Sequence, residues 1–86
     1  MRRLLVTGAA GFIGTNFVYY WLNKHTYDYL VGLDALTYAG KRENLAQALK
    51  NKNFEFIHGN ILDQSLLNSL LETRGINTIV HFAAES

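Results

Sequence analysis

Three glycines at fixed spacing, in the run Gly8-Ala9-Ala10-Gly11-Phe12-Ile13-Gly14, constrain the fold of this chain more than any other feature. Before them lies the short apolar run Arg3 to Thr7, which reads as a buried strand. After them Ile13, Phe17 and Trp21 recur at i, i+4 spacing with Val18 and Leu22 alongside, so a helical stripe facing a sheet is expected, ending near Lys24. A second apolar run, Tyr29 to Leu33, stops at Asp34, twenty residues past Gly14. Few folds use a strand, a glycine turn, a helix and a second strand ending on a carboxylate in that order.

The rest of the chain continues the alternation. Ala35 to Gly40 is loop-like, and Leu45 and Leu49 at i, i+4 predict a short helix over Glu43 to Lys50 before the turn Asn51-Lys52-Asn53. A third strand is expected at Phe54 to His58. Asp63 stands where an N-cap belongs, ahead of Leu66, Leu67, Leu70 and Leu71 at helical spacing, and Gly75 follows Arg74 as a C-terminal stop. Thr78 to Phe82 reads as a fourth strand. Short connections between alternating strands and helices imply an α/β fold, a parallel sheet with helices on both faces and right-handed crossovers, with about four strands ordered 3-2-1-4.

The glycine turn then acquires a chemistry. Gly8 permits the tight turn off the strand, Gly11 removes a Cβ from the path of a dinucleotide pyrophosphate, and Gly14 lets helix and strand pack closely. Free N–H groups at the helix start attract phosphate, helped by the helix dipole. Asp34 is placed to accept hydrogen bonds from an adenosine ribose, and it repels a 2′-phosphate, so NAD is expected over NADP.

Composition narrows the class further. The 86 residues are 49% hydrophobic and 17% charged, which suits one small folded domain and excludes a disordered chain. A formal charge of +1 gives no footprint for nucleic acid or an anionic membrane surface, and the apolar stretch after Met1-Arg2-Arg3 is too short for a signal peptide or a membrane span. With no cysteine there are no disulfides, thiol nucleophiles or Cys-based zinc sites, and a cytoplasmic protein is expected. A domain this small buries only a little over ~60% of its unfolded surface, a marginal core that suggests a piece of something larger.

On these residues the chain resembles the extended short-chain dehydrogenase/reductases that act on nucleotide sugars, whose glycines are spaced G-x-x-G-x-x-G. The segment Asp34-Ala35-Leu36-Thr37-Tyr38-Ala39-Gly40, the following Glu43-Asn44-Leu45 and the last six residues His81-Phe82-Ala83-Ala84-Glu85-Ser86 are similar to the dTDP-glucose 4,6-dehydratase family. The resemblance covers essentially all of the chain and about the first quarter of such an enzyme. It implies that residues 1–86 are the N-terminal part of an NAD-binding, Rossmann-type domain, whose remainder and substrate domain are absent.

Carried over by position, the resemblance implies that Gly8, Gly11, Phe12, Ile13 and Gly14 form the pyrophosphate turn. Asp34, Ala35, Leu36, Thr37 and Gly40 then surround the adenosine, and Asn60 and Ile61 meet the adenine edge. Asn60 replaces the family's Asp, with a side-chain oxygen that still accepts a hydrogen bond from the adenine amino group. Phe82, Ala83, Ala84 and Glu85 pass beneath the nicotinamide side, and Ser86 approaches the sugar. The full enzyme would oxidise the glucose C4 hydroxyl of dTDP-glucose with NAD+, eliminate water across C5 and C6 and return the hydride to C6, as a cytoplasmic homodimer. Two alternatives stay open: another NAD-dependent nucleotide-sugar enzyme such as an epimerase, and a non-catalytic NAD-binding module.

No catalytic residue is assigned in this chain, and no turnover is expected of it alone. Tyr20 and Lys24 spell the Y-x-x-x-K pattern of the superfamily's catalytic pair, but in the first helix, ~9 Å along the axis from Gly14 and running away from the phosphates. His25, His58 and His81 lack the short spacing of metal ligands, so no metal site is expected and packing roles are assigned to all three. The unpaired edge of the fourth strand is expected to invite self-association.

Overall fold

The computed structural model describes residues 1–36 and 41–82. Strand β1 (Arg3–Thr7) leads through the glycine turn into helix α1 (Phe12–Lys24) and strand β2 (Tyr29–Asp34). Two 3-10 turns, Arg42–Leu45 and Ala48–Lys50, precede β3 (Phe54–His58), helix α2 (Gln64–Thr73) and β4 (Thr78–His81). The four strands form one parallel sheet ordered β3-β2-β1-β4, the order expected.

Register explains why the central strands are apolar throughout. Leu4 pairs with Leu30 and Leu5 with Val31, so alternate residues of β1 and β2 face opposite sides of the sheet, and both sides are covered. Leu4, Val6 and Leu30 pack with Val18 and Leu22 of α1 and with Leu45 and Ala48 of the 3-10 turns. Leu5, Val31 and Leu33 pack with Leu70 of α2. No helix among the described residues is long and apolar enough to cross a membrane.

Three local expectations are corrected. The buried stripe of α1 is Gly14, Val18 and Leu22, with Phe17 and Trp21 flanking it and Ile13 65% exposed. Glu43 to Lys50 is not one helix: Leu45 and Ala48 are buried at i, i+3, the period of a 3-10 turn, while Leu49 is exposed. Strand β4 ends at His81, one residue short of Phe82. Helix α2 starts where expected, the Asp63 carboxylate accepting the Leu66 N–H at 3.1 Å, and Gly75 follows it at φ +62°.

At the far end of α1, the Trp21 ring stacks on His25 at 4.0 Å and on Phe17 at 5.4 Å. Its indole N–H donates to Asp28 Oδ2 at 3.0 Å, while Asp28 Oδ1 accepts the Arg2 N–H at 2.8 Å. That backbone bond holds the Asp28 carboxyl below the usual range.

On the α2 face, Arg74 grips Glu55 with two hydrogen bonds, 3.1 Å from Nε and 2.5 Å from Nη2, and the Tyr29 hydroxyl donates to the same carboxylate at 2.9 Å. Arg74 holds Glu55 below its ordinary pKa, and burial, followed by the Glu55 carboxylate, pushes Tyr29 above its own. A carboxylate with a depressed native pKa contributes stability above its unfolded pKa and loses it as pH falls through the native value. We expect the unfolding free energy, read from urea titrations, to drop as pH is lowered from about 5 to 3, by about 1 kcal/mol for this partly exposed pair. In Glu55→Gln that drop should shrink. A variant with the same acid limb as the unmutated protein would show that the pair contributes nothing.

Candidate cofactor site

In a parallel sheet every strand ends along the same edge, and this edge gathers the residues singled out by sequence. Thr7 at the end of β1 passes into Gly8, whose φ of +69° is the left-handed conformation that a glycine adopts without strain. The Gly8 N–H donates to the Leu33 carbonyl at 2.8 Å, which hangs the turn on β2. A Cβ on Gly14 would lie 2.0 Å from the Gly8 carbonyl oxygen, so the first turn of α1 rests directly on the glycine turn. On Gly11 a Cβ would meet only that same oxygen, at 3.5 Å, an ordinary contact.

Gly11 is the N-cap of α1 and carries no side chain to cap it, and the first helical turn has no acidic residue. The first helical hydrogen bond runs from the Thr15 N–H to the Gly11 carbonyl at 2.9 Å. Among the described residues, the N–H groups of Phe12, Ile13 and Gly14 have no backbone or side-chain acceptor. Three donors at the positive end of a 13-residue helix form a cradle for an anion. Phe12 and Ile13 are exposed around it.

The Asp34 carboxylate is fixed on both oxygens. Oδ2 accepts the Ala10 N–H at 2.9 Å and Oδ1 accepts the Leu36 N–H at 2.8 Å, so one side chain ties the glycine turn to the loop that leaves β2. Each oxygen keeps a lone pair for a hydroxyl donor. Leu36 sits at φ +59°, rare for a residue with a Cβ, with its side chain packed against the core. Neither the double clamp nor the backbone of Leu36 is visible in a one-dimensional pattern.

Beyond β3 the Gly59 N–H donates to the Asp34 carbonyl at 3.1 Å, bringing Asn60 and half-buried Ile61 to the same edge. The Asn60 side-chain oxygen accepts the Leu62 N–H at 2.8 Å, closing a local turn, so one of the two lone pairs expected to serve adenine is already engaged. At the end of β4 the Phe82 N–H donates to the Thr7 carbonyl at 2.9 Å, and its ring lies 5.4 Å from Phe17. Buried Thr7 and exposed His81 hydrogen-bond through Oγ1 and Nδ1 at 2.6 Å, a link between β1 and β4 that the packing role assigned to the histidine did not specify.

The structure thus brings together Gly8, Gly11, Phe12, Ile13, Gly14, Asp34, Ala35, Leu36, Asn60, Ile61 and Phe82. Thr37, Gly40, Ala83, Ala84, Glu85 and Ser86 lie outside the described residues. Tyr20 is exposed on α1, more than a turn beyond the cradle. Among the described residues no three His, Asp or Glu side chains group as metal ligands.

Comparison with known proteins points the same way. The family model described as GDP-mannose 4,6 dehydratase matches residues 5–86. The low-salt glycan biosynthesis protein Agl12 of Haloferax volcanii is 52% identical over 83 residues, 96% of this chain and 26% of that protein. A dTDP-glucose 4,6-dehydratase of Mycobacterium tuberculosis is 49% identical over 84 residues, 98% of this chain and 24% of that protein. The crystal structure of dTDP-glucose 4,6-dehydratase from Bacillus anthracis in complex with NAD superposes with a TM-score of 0.96 at 40% identity, covering 99% of this chain and 27% of that one. The chain spans about a quarter of the length of the curated relatives it matches. With nearly its whole length under one family model, the chain belongs to the GDP-mannose 4,6 dehydratase family, and within it is similar to dTDP-glucose 4,6-dehydratases.

Proposed function

We propose that residues 1–86 are the NAD-binding portion of a dTDP-glucose 4,6-dehydratase, the N-terminal part of its Rossmann-type domain. The observation that carries this reading is the Asp34 carboxylate clamped to the glycine turn at one sheet edge, beside uncapped N–H groups. Phosphate and ribose acceptors and donors are thereby held in one rigid piece. The NAD complex of the Bacillus anthracis enzyme supports the choice of cofactor.

Phe12, Ile13 and Gly14 would hold the pyrophosphate through their N–H groups, and Asp34 the adenosine ribose hydroxyls, with Ala35, Leu36 and Ile61 beside it. Asn60 would meet the adenine edge with its remaining lone pair. The bound dinucleotide supplies a hydride acceptor and donor at its nicotinamide. By family resemblance alone, Thr37, Gly40, Phe82, Ala83, Ala84 and Glu85 are assigned to the cofactor and Ser86 to the sugar. No residue of this chain is proposed for the proton transfers of dehydration.

Calorimetric titration of NAD+ and NADP+ into the protein tests the reading. NAD+ should bind at least about tenfold more tightly, because Asp34 accepts from a ribose hydroxyl and opposes a 2′-phosphate. Equal affinity for the two, or no binding of NAD+, overturns it.

A further inference from the structure

We propose that Asn44 is a positioning residue for the phosphate-binding turn, acting through the Ala10 carbonyl. The proposal rests on the reading of that turn as a dinucleotide site. Ala10 is fully buried, and its carbonyl oxygen accepts two hydrogen bonds, from the Lys41 N–H at 3.1 Å and from Asn44 Nδ2 at 3.0 Å. Both lone pairs of that oxygen are then used.

The partners matter because of which peptide they hold. The Ala10 carbonyl and the Gly11 N–H belong to one planar unit, and the Gly11 N–H donates to the Gly8 carbonyl at 3.2 Å. Asn44 and Lys41 therefore fix one end of that plane and Gly8 the other. The N–H groups of Phe12, Ile13 and Gly14 follow directly from it. Without Asn44 the Ala10 end of the plane is held by the Lys41 N–H alone, so the peptide rocks more freely and the Phe12, Ile13 and Gly14 N–H groups that follow it lose their common aim at a phosphate.

Asn44 is itself placed for this task. It lies in the 3-10 turn Arg42–Leu45, anchored by fully buried Leu45. Its own N–H donates to the Lys41 carbonyl at 3.0 Å, and its carbonyl accepts the Tyr19 hydroxyl of α1 at 2.8 Å. An exposed asparagine held at both backbone ends thus directs its amide into the turn rather than into water. The Lys41 donor is backbone and survives any substitution at position 44, so the turn loosens without unfolding.

The experiment compares Asn44→Ala and Asn44→Leu with the unmutated protein, using ADP and adenosine as probes. Leucine keeps the approximate shape of asparagine and removes the donor. ADP should bind about fivefold more weakly to both variants, the size expected for one lost neutral hydrogen bond. Adenosine affinity should stay within about twofold, and exchange of the Gly11 amide should accelerate. Unchanged ADP affinity overturns the proposal, as does an equal loss for ADP and adenosine, the signature of general loosening. An unmutated protein that binds no ADP overturns the dinucleotide reading itself, a result distinct from either.

Discussion

Gly14→Ala should cost about 3 kcal/mol or more of folding stability, at the upper end of what overpacking does. The added Cβ would sit 2.0 Å from the Gly8 carbonyl oxygen, 2.9 Å from its carbonyl carbon and 3.0 Å from the Ala9 Cα. All three are backbone atoms, so no side chain can rotate aside. The gain in helix propensity, ~1 kcal/mol for alanine over glycine, is too small to compensate. Gly11→Ala is the informative contrast. Its Cβ meets one atom at 3.5 Å and its φ of −76° suits any residue, so stability should change little while NAD+ affinity falls. Urea unfolding beside NAD+ titration separates the two. A Gly14→Ala protein as stable as the unmutated one would show that the close approach of helix and turn is not required.

Asp34→Ala should weaken NAD+ binding on the order of a hundredfold, close to 3 kcal/mol. The substitution removes the ribose acceptor and also strands the Ala10 and Leu36 N–H groups that the carboxylate now satisfies. NADP+ should lose less, because the charge that opposes its 2′-phosphate disappears, and the two affinities should converge to within about threefold. Asp34→Asn retains one acceptor oxygen but turns an amide N–H toward a backbone donor, so an intermediate loss is expected. If both cofactors weaken by the same factor in Asp34→Ala, the carboxylate shapes the turn without selecting the ribose.

Much of this architecture is legible because each strand is a short apolar run with a clear stop. Thr7 before Gly8 and Asp34 after Leu33 mark the ends of β1 and β2, and the glycine turn followed by an acid at the end of β2 points to the strand order 3-2-1-4 among the doubly wound ones. Asp63 is legible as a cap because it precedes a leucine stripe. The segment 42–50 is not, since a reading built on Leu45 and Leu49 overlooks Ala48, whose small side chain is buried instead. Ile13 misleads in the same way: it extends the apolar stripe by spacing, yet the face against the sheet carries Gly14. At the site, residue types and spacing locate the glycine turn and its acid. The bonds between them depend on tertiary contact, and those made by Ala10 and Asn44 leave no periodic trace.

The placement of the sole tryptophan has a practical consequence. Trp21 follows Phe12 by nine residues, roughly 13 Å along the helix axis, and its indole is enclosed by His25, Phe17 and Asp28. Its emission therefore follows whether the distal end of α1 remains docked, and its local contacts include none of the residues at the opposite end. Intrinsic fluorescence and calorimetry thus report on two different halves of one helix, giving unfolding and ligand capture separate readouts in the same sample.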